Sequence, residues 1–256
     1  MKKKVALVTG STSGIGLGIA RHLASLGHNI ALHGFGDSVE IAKICSEIST
    51  EHKIYCKHFA ADMMNPDEIN TMMDAVIQHY GELEILVNNA GIQFVSPIET
   101  FPDEKWEAII RIDLVASFYT IKKAVPVMKK QGFGRIINIA SAHALVASPF
   151  KSAYVAAKHG TLGLTKTVAL EVAENGITVN AICPGYVKTP LVLGQIADTA
   201  KARGMSEEDV VRNVILGSHA NKKFVEISEV ASLVGFLCSS EAASITGSCI
   251  TIDGGW

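Results

Sequence analysis

The sequence predicts an α/β fold: a doubly wound, seven-stranded parallel sheet with helices on both faces. Three observations carry that expectation. Short runs rich in Val and Ile alternate with longer amphipathic ones along the whole chain, the mark of repeated strand–helix units. The strand segments are apolar throughout instead of alternating, as strands covered on both faces must be. No Pro/Gly/Ser linker, low-complexity tract or composition shift interrupts the 256 residues. A chain of that length still makes one core, so a single domain is expected over 1–256.

The first strand is placed at residues 5–9, where Val5-Ala6-Leu7-Val8 follows three lysines. A secretory signal would continue that apolar run, but Thr9-Gly10-Ser11-Thr12-Ser13-Gly14 ends it at once. Further strands are expected at 29–33, 54–60, 85–88, 135–139, 178–183 and 249–253. Helical periodicity places helices at 15–26, 39–49, 67–80, 103–131, 152–175 and 228–239. Residues 189–224 break the rhythm with weakly periodic short helices and Gly194, Gly204 and Gly217. A long insertion after a strand's C-terminal end is where a small helical substrate lid belongs.

Composition excludes several classes. The chain is 48% hydrophobic and 19% charged, which rules out disorder, collagen and coiled coil. Twenty-three basic residues against 25 acidic ones give a net charge of -2, so no basic field exists to hold nucleic acid. The mean hydropathy of +0.27 is high, yet no apolar run reaches the roughly 18 residues of a membrane helix. Cys45, Cys56, Cys183, Cys238 and Cys249 are scattered and form no C-x-x-C pair. Neither a disulfide framework nor a metal site is expected; free thiols in a reducing cytoplasm are.

The chemistry begins at the end of the first strand, where Gly10, Gly14 and Gly16 precede a helix. Gly10 permits a tight turn, Gly14 lets backbone approach a pyrophosphate, and Gly16 lets the helix pack on its strand. Between first strand and first helix this loop reads as a nucleotide cradle, with a purely structural turn as the alternative. After the second strand comes His33-Gly34-Phe35-Gly36-Asp37, with no basic residue before Lys43. A 2′-phosphate would find no counter-charge there, which favours NAD over NADP. Asp37 either reaches the ribose or caps the next helix, and capping is the better reading.

The loop spacing is T-G-x-x-x-G-x-G, and other motifs follow it in order. They are Asn88-Asn89-Ala90-Gly91, Ser141, Tyr154-x-x-x-Lys158, Pro184-Gly185 and Asp253-Gly254-Gly255. From end to end the chain resembles the short-chain dehydrogenase/reductase family, which has a Rossmann-type fold. That resemblance implies a cofactor site of Gly10, Thr12, Ser13, Gly14, Ile15, Gly16, Phe35, Asp62, Met63, Asn89, Gly91, Tyr154, Lys158, Pro184, Gly185, Val187 and Thr189. Within it, Asp62 and Met63 would flank the adenine, and Thr189 would hold the nicotinamide carboxamide.

Tyr154 and Lys158 are four apart on a predicted helix and so share one face. An ammonium beside the phenol is expected to lower its pKa, letting Tyr154 act as general base while hydride leaves. An isolated Y-x-x-x-K would be an ordinary helical pair; the accompanying motifs make it catalytic. Ser141 would hold the substrate oxygen. The family usually has an Asn midway along the fourth long helix; here the position reads Asp113.

Gln93, His143, Lys151 and Gln195 lie where the resembled family puts substrate groups. With charge-assisted bonds from Lys151 and His143, this set fits a small carboxylate. Together with Ser141, Tyr154, Tyr186 and Trp256 it points to the family's branch that oxidises short (R)-3-hydroxy acids. A tryptophan commonly stands at the Tyr186 position, and Trp256 reads equally as pocket wall or subunit contact. The rival reading within the family is an acyl-carrier-protein reductase, which would need NADPH and a basic cleft; a nucleotide-sensing regulator is more distant. The helices at 103–131 and 152–175 are apolar on more than one face, through Ile109, Ile112, Val115, Phe118, Leu162, Leu164, Val168 and Val172. Such helices need a second partner, and the resemblance implies a homotetramer built on them.

Overall fold

The computed structural model describes residues 3–189, 192–194, 196–197, 200 and 204–256. Seven strands form one sheet in the order β3-β2-β1-β4-β5-β6-β7, every pairing parallel. They are β1 Val5–Val8, β2 Asn29–Leu32, β3 Cys56–His58, β4 Ile85–Asn88, β5 Gly134–Ile139, β6 Ile177–Pro184 and β7 Cys249–Ile252. The helices are α1 Gly14–Ser25, α2 Ser38–His52, α3 Pro66–Tyr80, α4 Asp103–Ile110, α5 Ala116–Gln131, α6 Ser152–Val172 and α7 Ile227–Leu237.

Alternate strand residues feed two cores, one on each face of the sheet. Ala6 and Val8 of β1 join Ile19 and Leu23 of α1 and Val230 and Val234 of α7. Val5 and Leu7 point the other way, to Ile69 and Met73 of α3, Ala124 of α5 and Val172 of α6. The sheet therefore reads as continuously apolar because both faces are dry.

Several boundaries differ from expectation. β3 is shorter than predicted because it is the edge strand, with partners on β2 alone. The helix predicted over 103–131 is α4 and α5 joined by a π-helical turn, Arg111–Val115, centred on Asp113. That widened turn offsets the register of the two helices without ending the helical path. α6 ends at Val172 and tightens into a 3₁₀ turn, Ala173–Asn175. α2 starts one residue early because Asp37 caps it, accepting from Val39 N–H at 2.9 Å and Glu40 N–H at 3.1 Å. In the expected lid, described helical turns run over Glu207–Asp209 and Val210–Ile215.

Because β1 lies between β2 and β4, the chain reverses its winding direction there. The crevice beyond the C-terminal ends of β1 and β4 is where such sheets bind ligands.

Candidate active site

Beyond β1 the glycine-rich turn is left-handed at Gly10 (φ +62°) and Gly14 (φ +54°), which favours glycine at both. A Cβ on Gly16 would collide with the Gly10 carbonyl and lie 2.5 Å from Asn89 Nδ2. The α1 N-terminus differs from its neighbours. α2 and α3 carry side-chain caps from Asp37 and Asn65, whereas Ser13 makes no cap bond and the first turn of α1 holds no acidic residue. Its amides are thus left for an external anion, which fits a dinucleotide pyrophosphate. Asn89 of the Asn-Asn-Ala-Gly motif fastens the turn, donating from Nδ2 to Thr9 O at 2.9 Å and to Gly10 O at 3.1 Å.

Next to this turn is a cavity of about 410 Å³ lined by Phe35, Ser38, Ile41, Cys45, His58 and Ala60, among others. No Lys or Arg lines it. Phe35 is exposed, Met63 is buried, and Asp62 accepts the Met64 N–H at 2.8 Å. Thr12 Oγ1 donates to Phe35 O at 2.8 Å, joining the two sides of the expected adenosine site.

The predicted catalytic side chains converge. Lys158, nearly buried, lies 5.5 Å from the Tyr154 ring centroid and donates to Ile139 O at 3.2 Å. Its ammonium is 3.2 Å from Asp113 Oδ2, and Asp113 Oδ1 accepts the Ile92 N–H at 2.8 Å. A Cβ on Gly91 would lie 2.8 Å from Asp113 Oδ2, so this carboxylate needs the glycine beside it. Burial lowers Lys158's proton affinity, but the Asp113 carboxylate and Tyr154 outweigh it and leave the pKa raised. Burial pushes the Asp113 carboxyl up against the pull of Lys158. Tyr154 corrects an expectation: burial outweighs Lys158, and its pKa stands above the ordinary value instead of below. Ser141 draws the Tyr154 pKa down in part, and its Oγ accepts the His143 N–H at 3.2 Å.

An aromatic box adjoins this triad. Trp256 stacks on Tyr186 (5.9 Å, 6° between planes) and meets the His143 ring edge-on at 4.9 Å. His143 lies 6.2 Å from the Tyr154 ring, and Lys151 Nζ donates to Tyr186 Oη at 3.3 Å. Trp256 therefore packs inside the chain against Tyr186 and His143. Burial and the neighbouring Lys151 push His143 down to about 4, so it is neutral near pH 7. His143 therefore offers a neutral N–H instead of the imidazolium expected from sequence. Gln93 is exposed on the loop after β4, which Ser96 joins to Phe150 through a 2.9 Å backbone bond. Gln195 lies outside the described residues. Thr189 Oγ1 accepts the Val192 N–H at 3.3 Å, and Val187 bridges Val225 across the base of the lid.

Two histidines given no role from sequence support the site. His219 is fully buried; its Nε2 accepts the Tyr186 N–H at 3.0 Å, and Nδ1 lies 2.9 Å from Lys223 O. It thereby fixes the backbone under the aromatic box. His33 holds the glycine-rich turn. Their partners lie many residues away or follow only from the folded lid, so no local motif announces them.

The family profile described as enoyl-(acyl carrier protein) reductase matches residues 10–256. The chain belongs to the short-chain dehydrogenase/reductase family, a family of oxidoreductases. It is 58% identical over 253 residues to a D-beta-hydroxybutyrate dehydrogenase of Rhizobium meliloti (strain 1021), covering 99% of this chain and 98% of that one. A D-beta-hydroxybutyrate dehydrogenase of Cupriavidus necator is 50% identical over 254 residues, 99% of this chain and 97% of the relative. Among solved structures, L-sorbose reductase from Gluconobacter frateurii, complexed with NADPH and L-sorbose, superposes with a TM-score of 0.93 at 30% identity, over 99% of this chain and 96% of that chain.

Proposed function

We propose that this protein catalyses the reversible oxidation of (R)-3-hydroxybutyrate to acetoacetate with NAD, as a homotetramer in the cytoplasm. The observation that carries this reading is Lys151 set in the His143–Tyr186–Trp256 box beside Tyr154, in a chain 58% identical to a D-beta-hydroxybutyrate dehydrogenase. One ammonium and one neutral imidazole suit a single carboxylate, and the indole and phenol suit a short hydrocarbon. The cavity beside the glycine-rich turn, with no Lys or Arg in its lining, favours NAD over NADP.

In this reading the glycine-rich turn of Gly10, Gly14 and Gly16, fastened by Asn89, would hold NAD, which would supply the hydride acceptor for C3 of the substrate. Lys151 and His143 hold the carboxylate, and Ser141 Oγ fixes the hydroxyl against Tyr154 Oη. Tyr154 removes the hydroxyl proton as general base. Lys158, kept protonated by Asp113, stabilises the phenolate against the cost of burial.

The test is an initial-rate assay of purified protein with NAD or NADP, across (R)- and (S)-3-hydroxybutyrate and a neutral secondary alcohol. NADH is expected to form with the (R)-acid and NAD. No NADH from the (R)-acid, alongside turnover of the neutral alcohol, rejects the substrate. Tyr154→Phe should lower kcat by about 10²–10⁴-fold while NADH binding persists. Unchanged turnover in that variant would remove Tyr154 from the chemistry.

A further inference from the structure

His33 follows β2 and has no part in the chemistry described above, yet only 2% of it is exposed. It sits between the glycine-rich turn and the loop after β3. The Gly10 N–H donates to His33 Nδ1 at 3.1 Å, and Nε2 lies 3.1 Å from the Ala61 carbonyl oxygen. These partners fix the tautomer. A nitrogen that accepts from an amide carries no proton, so the proton is on Nε2, facing the carbonyl. The backbones are locked too: Ser11 N–H donates to His33 O at 2.6 Å, and His33 N–H donates to Ser11 Oγ at 3.0 Å. Asn89 holds the carbonyl side of Gly10, and His33 holds its amide side.

We propose that neutral His33 positions the glycine-rich turn for the dinucleotide, and that its protonation releases the turn and weakens cofactor binding. Resting on the reading that this turn cradles the cofactor, the inference adds a positioning residue and an acid-sensitive step to it. A proton on Nδ1 would set two donors head to head at 3.1 Å, leaving the Gly10 amide without its acceptor. The groups facing His33 oppose its charge or are otherwise engaged. His58 of β3 couples to it and binds Gly34 O at 2.8 Å. Asp62, beyond Ala61, spends Oδ1 on the Met64 N–H, and the Ser11 hydroxyl donates to Val8 O at 2.7 Å. Burial holds His33 below the ordinary histidine value, with the Ala61 bond opposing and His58 adding to the drop. The neutral form therefore prevails near pH 7, and release belongs to the acid side.

The experiment titrates NADH by fluorescence into wild-type protein, His33→Asn and His33→Leu from about pH 8 to pH 5, with circular dichroism at each pH. Asn offers Oδ1 near the place of Nδ1 and does not titrate. Wild type should bind at pH 8 and weaken about tenfold towards pH 5 while its dichroism stays native. His33→Asn should bind within about threefold of wild type at pH 8 and stay flat; His33→Leu should bind weakly throughout. A His33→Asn curve that follows wild type, a flat wild-type curve, or a wild-type loss that coincides with unfolding overturns the proposal. Native wild-type protein that binds no NADH at pH 8 rejects the cofactor reading itself, and this inference with it.

Discussion

Asp113 puts a carboxylate 3.2 Å from the ammonium that serves Tyr154, and both groups are buried. The electrostatics have two parts with opposite effects on activity. Asp113 keeps Lys158 protonated, which helps the phenolate form; its own negative charge also raises the Tyr154 pKa directly. Asp113→Asn removes both effects while keeping an acceptor for the Ile92 N–H, and the second sets the limb as long as Lys158 stays protonated. The pH profile of kcat/KM for oxidation requires deprotonated Tyr154 and rises on its acid limb. In the variant that limb should move to lower pH by about 0.5–1 unit, the size of a nearby charge effect. A limb that stays in place, or moves up, would mean Asp113 acts on Tyr154 only through the fold. Tyr154, Lys158 and Ser141 were legible because catalytic spacing survives in sequence as i, i+4 and as strand ends. Charge balance was not: the sequence suggests that Lys158 lowers the phenol's pKa, but cannot weigh that against burial. His33 and His219 were hidden for a different reason, since a lone histidine gives no sign of a partner 23 or 33 residues away.

At the level of elements, a polar chain fixes the catalytic helix on the sheet. Thr120 of α5 donates to Asn88 Oδ1 at 2.7 Å, and Asn88 Nδ2 donates to Asn138 Oδ1 at 2.9 Å. Asn138 Nδ2 donates to Thr165 of α6 at 2.8 Å, and Thr165 donates to Thr161 O at 2.7 Å. All five residues are buried, so each bond replaces water that cannot enter. Thr165→Val keeps the shape but orphans an Asn138 donor, and should cost about 1–3 kcal/mol in urea unfolding. A loss below about 0.5 kcal/mol would show that the chain re-satisfies itself and does not set the α6 position. The seven strands and most helices were legible, because apolar strands and amphipathic helices have different periods. The π-turn at Arg111–Val115 was not, since one extra residue per turn blurs the helical period without breaking it.

For the whole molecule, the question is where the unusual apolar content goes. Much of it is internal: Ile109, Leu162, Val168 and Val172, read from sequence as possible contact residues, are buried within the chain. The excess is thus smaller than the two apolar helices suggest, because the sheet's second core absorbs their inner faces. What stays outside is more specific. Phe118 on α5 is 44% exposed and Leu170 on α6 is 83% exposed, on two helices that pack side by side. Large apolar side chains left in water on adjacent outer helices are what a subunit contact covers. Light scattering at micromolar concentration should therefore give about four times the chain mass, as the proposed homotetramer requires. The double variant Phe118→Glu with Leu170→Glu introduces like charges that would be buried twice over by symmetry, and should shift the mass towards dimer or monomer without changing the circular dichroism. A wild-type monomer would leave both side chains as ordinary surface residues, and a tetramer untouched by the double variant would place the contact on another face.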